Sequence, residues 1–349
     1  MKDRMPRIRV ILKNILSYFL LASLVILVGT RMHFVGTDTN SYYRIFEMIA
    51  SDGSWFRVQY YEPLFVFLNQ VVAKVGLSAQ EMIFATALST LIPLFLFFKK
   101  TSPSANLSIV LYMSVFGYLM LFNAVRQAIA IAFFVWFVFF MYNKRFFWAF
   151  AFGCVSVMFH YSAVFVIFAF LVISLIGPFF VICLYFVSLS FLINGNFSSL
   201  IFIFIFDAIS FLLPKKYFYY ISGIGDVPDL GLKDVINQVL FFVAFYFYFC
   251  KTKVSLSNVF KVALLCTMIS TILFNFFYYV KYLDRLASYF FIFNAVSIPL
   301  FIYVIKGRFE RMLVSFLVGF LAILLFARSI INGSNGITPY QSWFLPGVL

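Results

Sequence analysis

Continuous apolar runs recur along almost the whole chain, and they constrain its fold more than any other feature of the sequence. The chain has 349 residues, of which 64% are hydrophobic and 11% are charged, and its mean hydropathy is +1.03. Inside a bilayer every backbone N–H and C=O must find a partner within the protein, so only helices and closed barrels can cross it. A membrane barrel would alternate apolar and polar residues, whereas these runs are unbroken. The sequence therefore predicts an all-α polytopic membrane protein that forms a single integral membrane domain.

The lengths of the apolar runs predict about 11 transmembrane helices, within a range of 10 to 12. Pro63–Val75 is apolar but shorter than the roughly 17 residues that a span requires, so we interpret it as a re-entrant segment or a short helix. Two polar segments are expected to be outer loops. The first, 31–62, should contain a short amphipathic helix at Ser41–Ala50, and the second is 194–238.

The formal net charge of +14 would suggest an acidic partner such as nucleic acid if the protein were soluble. In a membrane protein, however, lysines and arginines near the spans set the orientation. If Pro63–Val75 does not cross the membrane, one side receives 15 of the 26 basic residues and only 2 of the 12 acidic ones. We therefore predict that this side is cytoplasmic, with the N-terminus inside and the C-terminus outside. The charge is then a topogenic signal, and no nucleic-acid partner is expected.

The segment Phe122–Ser162 contains two apolar runs separated by the basic turn Asn143-Lys144-Arg145. Because two spans return the chain to the side that it left, Arg126 and His160 should lie at the same membrane face, and the charge count makes this the outer face. An ionisable residue at membrane depth costs ~2.5–3.5 kcal/mol on insertion scales and usually faces a cavity or a partner. Further charged or polar residues share this predicted face: Asp38, Tyr42, Glu62, Asp284 and Arg285. We therefore expect a polar cavity that opens outward.

A series of short motifs is spread in order over most of the chain. They are Gly36-Thr37-Asp38-Thr39 with Tyr42 and Phe46, Glu62-Pro63-Leu64-Phe65, Asn123-Ala124-Val125-Arg126-Gln127, Phe159-His160-Tyr161-Ser162-Ala163, Asp284-Arg285 and Pro339-Tyr340. Each motif is short, but the ordered set resembles the EpsG-type bacterial polysaccharide polymerases, which are relatives of the Wzy O-antigen polymerases. One departure is Val35, where the family often has a second glycine.

The resemblance implies that the protein joins oligosaccharide repeat units carried on undecaprenyl diphosphate. The implied reaction is a metal-independent glycosyl transfer at the outer side of a bacterial cytoplasmic membrane, with exopolysaccharide, capsule or O-antigen as the product. The implied ligands are the lipid-linked oligosaccharide and membrane lipids, and a chain-length regulator and a flippase are candidate partners. The sequence contains no strong metal motif, no Gly-rich nucleotide loop and no soluble domain. We therefore expect no cofactor and no direct use of nucleotide sugars.

The chemistry of such a transfer suggests roles for the charged residues. The negative charge that develops on a diphosphate leaving group requires fixed cations, and arginine grips phosphate oxygens in pairs, so Arg126 and Arg285 are candidates. The acceptor hydroxyl must lose a proton, which a carboxylate or an imidazole can take; Asp38, Glu62 and His160 are candidates. Other candidate substrate-binding residues come from the same motifs: Tyr42, Asn123, Gln127 and Asp284.

Each of these residues also has a structural interpretation. Arg126 could snorkel to lipid headgroups. His160, near a helix end, could be a base, a sugar ligand or only a structural hydrogen-bonding group. Asp38 and Glu62 could each cap the helix that follows. The acidic member of the Asp284-Arg285 pair could simply balance the charge of its neighbour.

Two other functions would suit a cationic cavity in a helical membrane protein. A flippase or transporter of lipid-linked oligosaccharides would be expected to show internal repeats and charges at the membrane midplane. The sequence shows no clear repeat, and its charges gather at one predicted face, so a polymerase is favoured. A lipid-phosphate-sugar glycosyltransferase of similar helical build would transfer single sugars.

Profiling the lipid-linked oligosaccharides of a deletion strain tests the first of these alternatives. If the protein is a polymerase, the strain should accumulate lipid carrying a single repeat unit at the outer leaflet of the membrane. Retention of that lipid at the inner leaflet would instead identify a flippase.

Overall fold

The computed structural model describes residues 4–52, 61–114, 117–209, 230–249, 258–280, 283 and 285–344. Within these residues every regular element is a helix, and an isolated antiparallel β-bridge joins Arg31 and Ser342. The predicted all-α fold class is therefore confirmed. The chain divides into two compact units, Met1–Ala163 with Ile298–Leu349, and Val164–Ser297.

The helices are numbered here in chain order. The first seven are α1 (Arg4–Gly29), α2 (Thr39–Asp52), α3 (Pro63–Lys74), α4 (Ala79–Thr101), α5 (Ala105–Ser114), α6 (Val125–Tyr142) and α7 (Phe146–Phe159). The others are α8 (Ala163–Leu175), α9 (Pro178–Ile193), α10 (Gly195–Ile209), α11 (Leu232–Phe249), α12 (Asn258–Phe277), α13 (Arg285–Phe291), α14 (Asn294–Tyr303) and α15 (Arg308–Ile331). Short 3₁₀ helices occur at Tyr118–Phe122 and Ser334–Gly336.

Among the described residues, five helical segments are long and apolar enough to cross a membrane. They are α4, α6, α12, the segment Arg285–Tyr303 that comprises α13 and α14, and α15. The pair α9 and α10 passes the same test jointly but is bent by 104°, and it would make a sixth span. Shorter apolar helices of 10–17 residues occur in α1, α3, α5, α7, α8 and α11. The protein is thus a polytopic helical membrane protein, while the count of about 11 spans remains a prediction.

The two segments expected to be outer loops are partly helical. The amphipathic helix predicted at Ser41–Ala50 is present as α2, and the short apolar segment after Glu62 forms the 12-residue helix α3. In the segment 194–238, α10 occupies Gly195–Ile209 and α11 begins at Leu232, whereas residues 210–229 lie outside the described residues.

Local signals in the sequence account for the helix ends that frame the first unit. The hydroxyl of Ser78 accepts a hydrogen bond from Gln80 N (3.2 Å) and the carboxylate of Glu81 accepts one from Ser78 N (2.7 Å), which is the reciprocal capping box of a helix N-terminus. Pro63 occupies the first turn of α3, where its missing N–H leaves no helical hydrogen bond unmade. At the turn between α6 and α7, Lys144 adopts a left-handed backbone with φ +57°.

The α6–α7 hairpin is the most extensively packed helix pair of the first unit. The hydroxyl of Ser156 donates to Ala130 O (2.8 Å), and the rings of Phe133 and Phe159 stack with their centroids 5.8 Å apart. Helix α3 packs against both α2 and α7, and α4 packs against α1 and α6. As a result, the beginning of α3, the beginning of α6 and the end of α7 lie together.

In the second unit, α12 packs against α9, α11 and α13. A buried polar stripe on α12 repeats every four residues at Thr267, Thr271 and Asn275, so it follows one helix face. The amide of Asn275 bonds to Ser188 (3.2 Å) and Gln238 (3.0 Å) on neighbouring helices. Such bonds hold helices together where the hydrophobic effect cannot, because lipid is as apolar as the helix surface.

Arg31, for which the sequence gives no signal, is fully buried in the first unit. Its guanidinium donates to Val28 O (2.6 Å), Leu121 O (3.0 Å) and Thr39 Oγ1 (3.1 Å), and it lies 5.2 Å from the ring centroid of Phe122. Burial lowers the pKa of Arg31 to about 10, so the side chain stays charged at neutral pH. Arg31 therefore joins the end of α1, the start of α2 and the 3₁₀ helix before α6.

Replacing Arg31 by Met should destabilise the protein, because two carbonyls and one hydroxyl would lose a charged donor inside the protein. We expect a loss of at least about 2 kcal/mol in the free energy of unfolding. Thermal unfolding of the purified protein in detergent measures it. Arg44→Met, on the exposed side of α2, is the matched control and should unfold like the wild type. Equal unfolding temperatures for the two variants would contradict this account of Arg31.

Candidate functional site

Glu62 lies at the centre of a charged cluster at the beginning of α3. Its backbone is extended (φ −68°, ψ 139°), and its side chain makes no capping hydrogen bond to the helix. Glu62 therefore occupies the N-cap position of α3, but its carboxylate does not cap the helix. The side chain is only 5% exposed, and both of its carboxylate oxygens are used by other side chains.

The α6–α7 hairpin supplies both partners of this carboxylate. Arg126, in the first turn of α6, donates from Nη1 to Glu62 Oε2, and His160, which follows the last residue of α7, places Nδ1 2.8 Å from Glu62 Oε1. The side chains of Arg126 and His160 are each 27% exposed. The prediction that these two residues lie at the same end of the hairpin is confirmed. Arg126 pairs with a buried carboxylate, which explains its position better than snorkelling to headgroups.

The charges of the cluster keep Glu62 ionised. Burial alone would raise the pKa of Glu62, but the hydrogen bond with His160 and the positive charge of Arg126 lower it to about 2. An ionised carboxylate can only accept hydrogen bonds, so the proton between the two groups must be on His160 Nδ1. When the imidazole is neutral, its Nε2 is then left with a free lone pair. The arrangement thus orients an imidazole so that one nitrogen can accept a proton.

Aromatic side chains surround the guanidinium of Arg126. Tyr42, a buried residue of α2, lies close enough to interact with it electrostatically, and the ring centroids of Tyr61 and Phe65 each lie 5.7 Å from its Cζ. The Nε atom of Arg126 is buried without an acceptor among the described residues. Arg126 is therefore held in one place by Glu62 and Tyr42 while one of its donors is not used.

The loop before α2 lies next to the beginning of α6. Gly36 has φ +92°, and a Cβ at this position would lie 2.3 Å from Phe122 O, so only glycine fits. Thr37 N donates to Asn123 Oδ1 (2.8 Å), and the hydroxyl of Thr37 donates to Asp38 Oδ1 (3.3 Å). Asp38 is half-buried, and it lies close enough to Tyr42 for its negative charge to interact with the phenol group.

Four of the predicted site residues lie together in the charged cluster. Two more lie where the loop before α2 contacts the beginning of α6. The four are Tyr42, Glu62, Arg126 and His160, and the two are Asp38 and Asn123. Gln127 is buried in α6. Arg285 is exposed at the first position of α13 in the second unit, and Asp284 lies outside the described residues. The sequence did not predict the use of Thr37, whose contact is made by its backbone and so leaves no side-chain signal.

Within the part of the chain that the structure describes, no three His, Cys, Asp or Glu side chains lie close enough together to hold a metal ion. Metal independence of the reaction remains a prediction.

The fold and the cluster define a class of protein: a polytopic helical membrane protein with a buried carboxylate shared by an arginine and a histidine at helix ends. Residues 14–342 match the model of the EpsG family. Since the match covers nearly the whole chain, the protein belongs to the EpsG family, which is a polysaccharide polymerase family. Comparison of the chain with curated protein sequences and with solved structures finds no match.

Replacing Glu62 by Gln should destabilise the protein in a pH-dependent way. Because the pKa of Glu62 is lower in the folded protein than its ordinary value of 4.5, ionisation stabilises the fold above pH 4.5, and this contribution is lost as the pH falls to about 2. At pH 7 the wild type should exceed Glu62→Gln by roughly 2–3 kcal/mol in unfolding free energy. The difference should shrink below pH 4.5.

Unfolding in detergent, followed over a range of pH, measures this difference. Glu47→Gln, at an exposed position of α2, is the control and should leave the stability at pH 7 unchanged. A Glu62→Gln variant as stable as the wild type at pH 7 would show that the cluster does not stabilise the fold.

Proposed function

We propose that this protein joins undecaprenyl-diphosphate-linked oligosaccharide repeat units into an exopolysaccharide, capsule or O-antigen. The reaction is a metal-independent glycosyl transfer at the outer face of the bacterial cytoplasmic membrane. One observation supports this above all others: in a chain of the EpsG family, the buried carboxylate of Glu62 is shared by Arg126 and His160. A glycosyl transfer from a lipid diphosphate requires both a fixed cation and a proton acceptor, and these two side chains provide them.

Arg126 binds the diphosphate in this proposal. Its guanidinium is partly exposed and is held by Glu62 and Tyr42, so its orientation is set before the substrate binds. A preorganised cation stabilises the negative charge that develops on a leaving group, because no reorganisation is needed as the bond breaks. The exposed part of the Arg126 side chain is proposed to donate to a phosphate oxygen. Arg285, in the second unit, is proposed as a phosphate-binding residue.

His160 is the general base in this proposal. The acceptor hydroxyl attacks the anomeric carbon of the donor sugar, the bond from this carbon to the diphosphate oxygen breaks, and the hydroxyl proton passes to His160 Nε2. Glu62 holds Nδ1–H and stabilises the imidazolium that forms, as carboxylates do in hydrolase triads. With a pKa of about 2, Glu62 itself is a poor proton acceptor at neutral pH. Asp38, in the half-exposed loop, is assigned to binding acceptor sugar hydroxyls.

The finer membrane arrangement belongs to the same proposal. The chain has about 11 spans with the N-terminus in the cytoplasm, and the Glu62 cluster faces a cavity that opens outward. The excess of basic residues at the predicted cytoplasmic ends supports this orientation. A flippase supplies the lipid-linked repeat units from the cytoplasmic side, and a chain-length regulator is a further partner.

Replacing Arg126 or Arg285 by Ala should abolish long-chain polysaccharide, because the leaving group would lose a fixed cation. For Arg126→Ala we expect a loss of at least about 100-fold in polymer relative to the amount of protein in the membrane, measured by gel analysis of polysaccharide and of the membrane protein. Arg328→Ala, at an exposed position of α15, is the control and should make normal polymer. Long-chain product in cells whose only copy carries Arg126→Ala would refute the assignment.

Purified protein in lipid vesicles, supplied with one lipid-linked repeat unit as donor and acceptor, tests the reaction itself. A polymerase produces a ladder of products that differ by one repeat unit. Addition of a single sugar would indicate a lipid-phosphate-sugar glycosyltransferase instead, and movement of unchanged lipid across the vesicle would indicate a flippase.

A further inference from the structure

The segment 335–343, called the tail here, lies along the end of α1 although it is more than 300 residues away in sequence. Met32 N donates to Gln341 O (2.9 Å), and Trp343 N donates to Thr30 O (3.0 Å). These two backbone bonds flank the β-bridge of the first unit and hold the tail from its C-terminal side. The tail is thus part of the folded first unit.

The N-terminal side of the tail contacts the loop before α2. Gly36 N donates to Gly336 O (2.8 Å), so the two backbones are directly joined. Gly336 has φ +64°, and a Cβ at this position would lie 3.2 Å from Thr37 Cγ2. The close approach of the tail to this loop therefore depends on a glycine at position 336.

A chain of hydrogen bonds runs from the tail to the loop that carries Asp38. Asn335 Oδ1 accepts from Asn123 Nδ2 (3.0 Å), and Asn123 Oδ1 accepts from Thr37 N (2.8 Å). The nitrogen and the oxygen of the Asn123 side-chain amide therefore join the tail to the loop before α2. Asp38 directly follows the contacted backbone, and Arg126 lies three residues after Asn123 at the start of α6. The Asn123 amide thus joins the tail to the Thr37-Asp38 loop, three residues before the cation of the site.

We propose that Asn335 is a positioning residue of the polymerase site, which acts through Asn123 on the Thr37-Asp38 loop. The tail fixes the orientation of the Asn123 amide, and this amide fixes the loop that binds the acceptor sugar next to Arg126. The inference rests on the proposed function, because it assigns the loop to the acceptor. Loss of the Asn335 acceptor frees the amide of Asn123 to rotate, and acceptor binding then weakens more than the chemical step.

Two substitutions separate the hydrogen bond from the backbone conformation. Asn335 has φ +62°, which glycine adopts without strain, so Asn335→Gly removes the side-chain acceptor and leaves the native backbone conformation accessible. Asn335→Asp keeps an oxygen acceptor for Asn123 Nδ2. Ser334→Ala, in the same turn, is the matched control. In vesicles supplied with the lipid-linked repeat unit, Asn335→Gly should raise KM about tenfold with a smaller effect on kcat, as expected for one hydrogen bond to a positioned group. Asn335→Asp and Ser334→Ala should behave like the wild type.

Hydrogen exchange of the peptide that contains the Thr37 amide gives a second readout that does not depend on activity. This amide should exchange faster in Asn335→Gly than in the wild type, and Asn335→Asp should restore its protection. Unchanged KM and unchanged exchange in Asn335→Gly, with Arg126→Ala inactive, would overturn the role of Asn335 and leave the proposed function standing. A lower unfolding temperature with an unchanged KM would show that Asn335 is only structural. A wild-type protein that forms no polymer would overturn the proposed function and this inference with it.

Discussion

A carboxylate removed from water must be compensated, and the arrangement of the first unit depends on how Glu62 is compensated. The effective penalty for burying one ion is several kcal/mol, so an unpaired Glu62 would not remain ionised at 5% exposure. Its two partners come from the two arms of the α6–α7 hairpin, at the same end, and Glu62 itself precedes α3. These two contacts join the beginning of α3 to the beginning of α6 and the end of α7. The cluster therefore specifies helix packing as well as a candidate site.

The contacts of Glu62 also give the three residues of the cluster different chemical properties. Glu62 is kept ionised with a low pKa, Arg126 is held with one donor lacking an acceptor among the described residues, and His160 is oriented through Nδ1. A low-dielectric surrounding strengthens each of these effects, because water does not screen the charges. The proposed division of labour between a phosphate-binding cation and a proton-accepting imidazole follows from this geometry.

Sequence reasoning predicted the residues of the cluster better than their contacts. The apolar hairpin with a basic turn indicated that Arg126 and His160 share one end, since each run is about one span long. The position of Glu62 before a proline suggested a helix cap; Glu62 is at the N-cap position, but its carboxylate bonds to residues 64 and 98 positions away and not to the helix. Arg31 and Asn335 left no signal. Their partners are backbone carbonyls or a distant amide, and such contacts produce no periodicity and no motif.

The sequence by itself determined the helical membrane class, the hairpin, the amphipathic α2 and the resemblance to the EpsG family. These depend on hydropathy, helix period and short motifs, which are all properties of neighbouring residues in the chain. Only the tertiary structure decided which charges pair, that Arg31 is buried, and that the tail contacts the loop of Asp38. Electrostatic and hydrogen-bond energies depend on distances in space, and packing alone brings together groups that lie 64 to more than 300 residues apart.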